Sequence, residues 1–490
     1  MTDIVETPSP VEVDPDVQHA RELRVDRDLA ALRERAASLP WWRRPRELRP
    51  QLAWTLVATA LASVLLVGGL NYVAASDLLD DGTQDQLVGI GEARARTIEN
   101  GVDRLIGQVS ALSGDLGVVT ALDELANEFD NLDAEPISAD QMAALERHYQ
   151  AEVVDLYDRL DLEDVTVAEF LPDNPSAQYL QYHYTVSPTL EGVDPASIAD
   201  AGDGSDYSAI HALHHASLEA MLTGGLGGGD ALLVTLAGDV VYSVDKRIDF
   251  GTNLIDGPHA DSNLAVVLRE RLTRVRAGNA VIADVELYLP AQGRPVLFAA
   301  ATVKNDTEAI GVLVSEIPVE ALSQVTTTGQ QWELYGLQSG ESYVVGADLR
   351  LRSESRRWIE DPEGYLGKVN DERLELLISE LGTPIGLQEV DTKPVRTALD
   401  GDEFTGTANN YLGTKNFSYA EPIAVPGVEW VVVVDVPIRD ARSPLFDYGR
   451  RLGVVLLIIL PTAALIGLWL ARRLTRPIGP VVATATAIVQ

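Results

Sequence analysis

The sequence contains no cysteine among its 490 residues, and lysine supplies only five of its 38 basic residues. Without cysteine, the chain has neither a disulfide framework nor thiol chemistry. The scarcity of lysine, together with abundant alanine, valine and aspartate, is typical of proteins from GC-rich bacterial genomes. We therefore expect a bacterial protein with a large domain that is stable without covalent bridges.

The chain is also poor in positive charge, because 74 acidic residues against 38 basic residues give a formal net charge of −36. The deficit lies in the middle of the sequence. Residues 1–50 carry nine arginines against ten acids, and residues 450–490 carry five arginines and no acid. The electrostatic field of such a negatively charged segment repels nucleic acid and attracts cations. Nucleic acid is therefore excluded as a partner.

The patterns of common catalytic and nucleotide-binding sites are missing as well. No G-x-S-x-G motif occurs, and the glycine-rich run LTGGLGGGD at residues 222–230 lacks the Gly-Lys-Ser/Thr ending of a phosphate loop. The acidic run DAGDGSD at residues 200–206 is too short for a calcium loop and has no terminal glutamate. We predict that this chain is not an enzyme and uses no cofactor.

Two long uncharged runs are present, Leu52 to Ala75 and Leu452 to Ala471. About 20 apolar residues span the hydrocarbon core of a bilayer, so both runs predict transmembrane helices. The first run is too long and too far from the N-terminus for a secretory signal peptide. Pro461, in the middle of the second run, predicts a kink of a kind that membrane helices tolerate.

The charges that flank the two runs predict their orientation. WWRRPRELRP precedes the first run and ARRLTRP follows the second, whereas the acidic SDLLDD follows the first. Positively charged flanks stay inside the cell. We therefore expect a two-span protein of the bacterial plasma membrane, with both termini cytoplasmic and residues 76–449 outside.

A heptad-like pattern follows the first run. Apolar residues recur at spacings of four and three over three repeats, at Ile98, Val102, Leu105, Val109, Leu112, Leu116 and Val119. One interpretation is a dimer interface that stands on the membrane. The other is a long helix that covers its own domain, and the two interpretations are compatible.

From residue 231 onward, the outer segment contains runs of residues that favour β-strands. Two β-rich runs at 231–236 and 240–244 precede a helical segment, SNLAVVLRERLTRVRAG, and three further runs that begin at residues 280, 295 and 309. A similar order recurs downstream. There a hairpin over ESYVVGADLRLRS and an acidic helical stretch at 357–400 precede EFTGTANN, FSYAEPIAV and EWVVVVDVPI. This is the order of two PAS-like sheets.

These phrases resemble the ectodomain of a double Cache (dCache) receptor over residues 76–445. The resemblance is carried by QYLQYHYTVSP, DAGDGSDYSAIHALHH, VVYSVDKRIDFGTNLIDGPHADSNL, AIGVLVSEIPVEAL and SGESYVVGADLRLRSESR. RRLTRPIGPVVATATAIVQ is similar to the first helix of a HAMP linker. Receptors of this kind are attached to class III adenylate/guanylate cyclases, chemoreceptor modules or histidine kinases.

The resemblance implies an α+β membrane protein with a long N-terminal helix, two tandem PAS-like antiparallel-sheet modules outside the membrane and two transmembrane helices. We expect a disordered cytoplasmic tail (1–50), a first span (51–75), a helical segment (76–230), a membrane-distal Cache module (231–330), a membrane-proximal module (331–445), a second span (450–471) and a truncated HAMP start (472–490). The expected partners are a small molecule of unknown class, a second copy of the chain and the lipid bilayer.

The run HALHH places His211, His214 and His215 at i, i+3 and i+4, on about one face of a helix. Histidines at i and i+4 do bind zinc, but the glutamate of an H-E-x-x-H site is absent. Three interpretations stay open: a metal site, a lid or lining of a ligand pocket, and a polar helix face bonded to Asp206 and Tyr207.

If the domain binds a small ligand, the resemblance implies a pocket in the first module, between its sheet and the covering helices. The candidate lining residues are Tyr207, His211, Tyr242, Asp245, Tyr288 and Phe298. The alternative for each of them is an ordinary place in the core. For the whole chain, we predict the sensory half of a receptor whose output is a class III cyclase. The alternatives are a chemoreceptor, a histidine kinase or a scaffold that binds a protein partner.

Overall fold

The computed structural model of the chain describes residues 24, 27–28, 30–31, 34, 48–132, 136–187, 192–226, 229–273, 280–330 and 339–475. The chain divides into two compact units, one of Met1–Asp77 with Pro444–Gln490 and one of Leu78–Ser443. Most of the predicted tail at 1–50 and residues 476–490 of the predicted HAMP start lie outside the described residues.

The first unit contains two helices that are long and apolar enough to cross a membrane. The first is helix α1 (Leu48–Leu112), in which the candidate span begins at Val57. The second is helix α15 (Ser443–Thr475), in which the candidate span ends at Leu470. Large apolar side chains on both are exposed, with Leu66 at 66% and Leu457 at 75%. Exposed apolar helix surface of this extent suits lipid rather than water. Helix α15 includes Pro461 without ending there.

The α1 helix continues into the second unit and ends at Leu112, so the predicted heptad seam is not one continuous helix. Asp115 caps the next helix, α2 (Leu116–Asn131), where its carboxylate accepts a hydrogen bond from the Gly117 amide at 2.8 Å. Leu116 is 77% exposed, whereas Ile98, Val102 and Val109 are buried in the core of their own domain. The seam therefore covers its own sheet, as the second interpretation predicts.

A run of shorter helices then leads to the first sheet. They are α3 (Ala139–Tyr149), α4 (Asp155–Arg159), α5 (Val167–Phe170), α6 (Pro175–Gln181) and α7 (Asp206–Leu226), with π-helical turns at Gln150–Val154 and Tyr182–Val186. Helix α3 begins with a capping box between Ser138 and Gln141. The long helix α7 carries the predicted histidines.

The first sheet is antiparallel and has the strand order β2-β1-β5-β4-β3. Its strands are β1 (Ala231–Thr235), β2 (Val240–Ser243), β3 (Val281–Tyr288), β4 (Arg294–Asn305) and β5 (Glu308–Pro318), and helix α8 (Asn263–Thr273) precedes β3. The predicted strands are confirmed. Gly238, with φ of 102°, makes the turn between β1 and β2. Strand β4 is buried at consecutive residues, which requires cover on both faces of the sheet.

The second sheet is also antiparallel, with the order β6-β9-β8-β7. Helix α9 (Val319–Thr327) leads toward it. Its strands are β6 (Glu341–Gly346), β7 (Phe404–Asn409), β8 (Lys415–Ile423) and β9 (Trp430–Pro437). Between β6 and β7 lie helices α10 (Arg356–Glu360), α11 (Pro362–Leu366), α12 (Glu372–Leu381) and α13 (Lys393–Leu399), and the short helix α14 (Ile438–Ala441) follows β9.

The predicted hairpin over residues 341–353 forms, with β6 as its first arm and a short second arm at 350–352. The Arg352 amide donates to the Val344 carbonyl at 2.8 Å, and the Gly346 amide donates to the Arg350 carbonyl at 3.0 Å. Leu351 bridges to Val345 of β6, and Arg350 also bridges to Glu389 on the other side. The Leu351 amide donates to the Gln388 carbonyl at 3.1 Å, and the Gly386 amide donates to the Leu351 carbonyl at 2.8 Å. The loop at 386–390 therefore pairs with the outer edge of the second arm, on the side away from β6.

Replacing Gly311 with alanine is expected to lower the free energy of unfolding by about 1–3 kcal/mol, the usual cost of overpacking a core. A Cβ at Gly311 would overlap the Val234 carbonyl oxygen and lie 2.8 Å from Leu122 Cδ2. Val234 and Leu122 are both fully buried. Denaturant unfolding measures the change, with Gly107→Ala as the control.

Gly107 lies on α1 and has no neighbouring atom within 4 Å of the added Cβ. Alanine there should stabilise the helix by up to about 1 kcal/mol. Equal effects of the two substitutions would contradict this account of the sheet.

Candidate functional site

Three of the predicted site residues meet between helix α7 and strand β2. Tyr207 and His211 are one turn apart on α7, and His211 lies with its ring centroid 5.4 Å from that of Tyr242 on β2. His215 stacks on His211 at 4.8 Å. His211 and Tyr242 are 0% exposed, and Tyr207 is also buried, so this histidine–tyrosine cluster is closed to water.

The hydrogen bonds of this cluster assign its histidine tautomers. His211 Nδ1 lies 2.6 Å from the Ala199 carbonyl and His215 Nε2 lies 2.9 Å from the Ala196 carbonyl, so both nitrogens must donate. His215 Nδ1 then accepts from the Tyr242 hydroxyl at 3.0 Å. His211 Nε2 is left as an acceptor with no hydrogen-bond partner among the described residues. Both imidazoles are neutral in this arrangement.

Burial is the main cause that lowers the pKa of both histidines, His211 strongly, and the positive charge of Lys246 adds to it. The neutral tautomers that the hydrogen bonds require are therefore also the favoured protonation states. An unpaired acceptor at this depth costs free energy, since water cannot reach it. His211 Nε2 is thus ready to accept a hydrogen bond from a ligand.

Lys246 is the second unusual group. It follows β2 with φ of 53°, a left-handed conformation, and its side chain is buried. Its ammonium donates to the Val244 carbonyl at 3.1 Å and lies 5.9 Å from the centre of the Tyr184 ring. Burial lowers the pKa of Lys246 to about 8, against the opposing pull of Asp230 and other acids.

Asp230 fixes the backbone beside Lys246. Its Oδ1 accepts hydrogen bonds from the amides of Ala231 (2.7 Å), Val244 (3.0 Å) and Asp245 (3.0 Å), and the Ser243 hydroxyl lies 3.0 Å from Oδ2. Burial, with the neighbouring acids Asp245 and Asp249, raises the pKa of Asp230 to about 8. This carboxyl joins the start of β1 to the end of β2.

The other predicted residues lie in neighbouring contacts rather than in the histidine–tyrosine cluster. The Asp245 carboxylate pairs with the Arg247 guanidinium at 2.6 Å, and Arg247 also pairs with Glu316. The Tyr288 hydroxyl donates to Asp249 Oδ2 at 2.8 Å. The Tyr288 and Phe298 rings make an edge contact at 5.0 Å.

The three histidines of HALHH do not converge on a common point. His214 Nε2 lies 2.6 Å from the Glu124 carboxylate of α2, away from His211 and His215. Within the described ranges, no group of three or more His, Asp or Glu side chains is placed to hold a metal ion. The geometry therefore gives no support to the metal interpretation of this run.

Four residues of this region were not among the predicted ligand-binding residues: Tyr184, His215, Asp230 and Lys246. Tyr184 contacts His211 at 4.9 Å between ring centroids. A signal for Lys246 is present in the sequence, because YSVDKRIDF places one of only five lysines directly after a buried strand. Asp230 has no comparable signal, since its partners are backbone amides brought together by the hairpin.

Stability is expected to fall as the pH rises from about 6.5 to 8. Burial raises the pKa of Asp230 to about 8 and those of Glu341 and Glu354 to about 7. These acids hold more protons in the folded state than in the unfolded state over this window, so deprotonation costs about 1–2 kcal/mol per acid. The pKa values of His211, His215 and His259 are lowered, so below pH 6.5 these groups have the opposite effect and make stability rise with pH.

Thermal unfolding at constant ionic strength measures this slope. Asp230→Asn, which removes the titrating carboxyl with the highest of these pKa values, should flatten it. Above pH 8, the lowered pKa of Lys246 turns the slope upward again, because the unfolded state then binds more protons. Melting temperatures that rise steadily between pH 6.5 and 8 would contradict the assignment.

Comparison with known proteins yields solved structures only. No family profile matches the chain, and no curated protein matches it. The ligand-binding domain of the Pseudomonas fluorescens chemoreceptor CtaA with L-isoleucine is similar at 12% identity and a TM-score of 0.29, over 46% of this chain and 78% of that one. That of the Pseudomonas aeruginosa amino acid chemoreceptor PctB with L-Arg is similar at 12% identity and 0.29, over 61% and 92%.

An extracellular ligand binding receptor from Desulfohalobium retbaense is similar at 10% identity and a TM-score of 0.28, over 61% of this chain and 41% of that one. TM-scores this low carry no argument about fold or ligand.

Proposed function

We propose that the unit Leu78–Ser443 is the extracytoplasmic sensory domain of a bacterial two-span receptor and that it binds a small polar molecule. The observation that carries the proposal is a pair of buried polar groups where α7 meets the β1–β2 hairpin: the Lys246 ammonium and the unpaired acceptor His211 Nε2. Buried polar groups without full partners are costly, and proteins retain them mainly where they serve a function. The strand order β2-β1-β5-β4-β3 supports a Cache-type module around this site.

The arrangement has donors and acceptors for such a ligand. The Lys246 ammonium has three hydrogens, and its one hydrogen bond to the described chain goes to the Val244 carbonyl. His211 Nε2 offers an acceptor in the same buried region, because the Lys246 ammonium and the His211 ring lie 5.9 Å and 4.9 Å from the centre of the same Tyr184 ring. Because the cluster is closed, a ligand can enter only if α7 moves away from the β1–β2 hairpin. Binding would therefore select an open form over a closed one, which is the requirement for a sensor.

We propose the domain boundaries that the sequence predicts: a tail (1–50), spans (51–75 and 450–471), a helical segment (76–230), a distal module (231–330), a proximal module (331–445) and a HAMP start (472–490). We also infer a homodimer in the bacterial plasma membrane with both termini cytoplasmic. The two exposed apolar helices and the arginine-rich flanks support this placement.

For the output, a class III adenylate/guanylate cyclase connected through HAMP remains the first proposal, and its support is the resemblance of RRLTRPIG to a HAMP start. A chemoreceptor or histidine-kinase output fits the same sensory design. In either case this chain supplies the sensor. A scaffold that binds a protein partner is the alternative from another class, and it needs no buried polar site.

A thermal-shift screen of the full chain tests the sensory proposal, with amino acids, organic acids, polyamines and divalent ions as probes. We expect one class to raise the melting temperature saturably, since a ligand that binds only the folded state stabilises it. Lys246→Met should abolish that rise. The matched control is Lys415→Met, at an exposed lysine on strand β8. The absence of any shift, or an equal shift in Lys246→Met, would contradict the proposal.

A further inference from the structure

An apolar cavity of about 380 Å³ lies apart from the histidine–tyrosine cluster, between helix α1, the first sheet, helix α9 and Trp430 of the second sheet. Its volume falls within the range of about 300–1,000 Å³ that is usual for small-ligand sites. Buried Ile98 and Val102 of α1 form one wall, and Leu297 and Ile317 form the opposite one. Trp430 closes one side, where its indole nitrogen is fixed by a hydrogen bond to Asp284.

The cavity follows helix α1 from Thr97 to Gln108. At 1.5 Å per residue this is roughly 16 Å, so the cavity is elongated along the helix axis. Gly101 lies near the middle of this stretch, and a Cβ there would have no atom within 4 Å. Glycine inside a helix costs about 1 kcal/mol relative to alanine, and here no neighbour demands it. Its effect is to keep the cavity open.

Among the described residues that line the cavity, Arg104 is the only charged one, although the chain carries 74 acidic residues. The residues at i±3 and i±4 are Asn100, Gly101, Gly107 and Gln108, so α1 offers it no acidic partner. Arg104 makes no ion pair or hydrogen bond with any part of the chain that the structure describes. Its guanidinium is free to pair with a carboxylate.

We propose that this cavity is a second ligand site, which takes an amphipathic monocarboxylate with its apolar chain along α1 and its carboxylate on Arg104. An alcohol of the same length would lose the charge contact, and an amine would be repelled. Because the cavity touches α1 and both sheets, its occupant would contact the elements through which the sensory unit must signal. This site is independent of the proposed site under α7.

Photolabelling of the full chain in phosphatidylcholine nanodiscs tests the proposal, with a diazirine derivative of decanoate as the probe. We expect saturable labelling of residues 97–108 and 317–325, which decanoate displaces. Decanol and decylamine should displace it at least tenfold less well. Gly101→Leu should reduce the labelling at least tenfold, because its side chain would fill the cavity.

The matched control is Gly107→Leu, the same change at another open glycine of α1 that does not line the cavity. It should label as the parent chain does, and both variants should melt no lower than the parent. Arg104→Gln, a change at an exposed residue, should weaken displacement by decanoate and leave displacement by decanol unchanged.

Unaltered labelling in Gly101→Leu would overturn the site. Labelling confined to 57–75 and 443–470 would show partition into the bilayer and overturn it too. Equal displacement by decanol would overturn the assigned charge.

Discussion

Replacing Asp230 with alanine is expected to lower the free energy of unfolding of the Leu78–Ser443 unit by about 3–5 kcal/mol. The substitution removes the acceptor of three backbone amides and of the Ser243 hydroxyl, all in the buried hairpin of β1 and β2. The Ala231 amide and the Ser243 hydroxyl would lose their acceptor in a buried place, and the Val244 amide would keep only the Ala231 carbonyl at 3.2 Å. Denaturant unfolding at pH 7 measures the loss.

Asp230→Asn is the matched control, and it should cost less than about 1 kcal/mol. All three amides donate to Oδ1, which the amide oxygen of asparagine can replace, and the new NH₂ group would donate to the Ser243 hydroxyl. The raised pKa of Asp230 already favours the neutral carboxyl that asparagine imitates. If asparagine is as damaging as alanine, the site depends on the negative charge and this account of Asp230 is wrong.

Replacing Asp284 with alanine is expected to cost about 3 kcal/mol and to weaken the contact between the two sheets. Asp284, on β3, accepts from Trp430 Nε1 of β9 at 2.7 Å and from Arg352 Nε and its terminal nitrogen at 2.9 and 2.8 Å. The Arg352 side chain is only 3% exposed. Without Asp284 it keeps Asp348 at 2.8 Å but loses its bidentate partner.

A double-mutant cycle of Asp284→Ala with Trp430→Phe measures the coupling across the two sheets. The control is Glu92→Ala, whose carboxylate pairs at 2.7 Å with Arg96 on the surface of α1, with side chains 42% and 70% exposed. That pair should contribute less than about 1 kcal/mol. A similar cost for the buried and the exposed pair would show that Asp284 does not join the sheets.

The strands could be predicted because their signal is local. The β-branched and apolar runs of β4, β5 and β9 are long enough to decide strand over helix without knowledge of their neighbours. The pairing of the hairpin's second arm with the loop at 386–390 could not be predicted, because the two segments are more than 30 residues apart in the sequence. The heptad spacing likewise runs across Gly114 and Asp115, where the chain ends one helix and caps the next.

The candidate site was predictable only in its aromatic part. Tyr207, His211 and Tyr242 belong to phrases with periodicity or strand character, and the fold brings them together. Asp230 and Lys246 act through backbone groups and through depth of burial, which depend on the tertiary fold. The cavity beside Gly101 and Arg104 was missed for the same reason, since its opposite wall comes from the sheet and α9.

The proposed receptor function requires that the Leu78–Ser443 unit lie outside the membrane and the N-terminal tail inside. Because the chain has no cysteine, single cysteines can report it without background. Thr307→Cys is in the exposed turn between β4 and β5, and Glu34→Cys is at an exposed residue of the tail. In bacterial spheroplasts, a membrane-impermeant maleimide should label Thr307→Cys at once and Glu34→Cys only after lysis. Labelling of Glu34→Cys in intact spheroplasts, with Thr307→Cys protected until lysis, would contradict the receptor account.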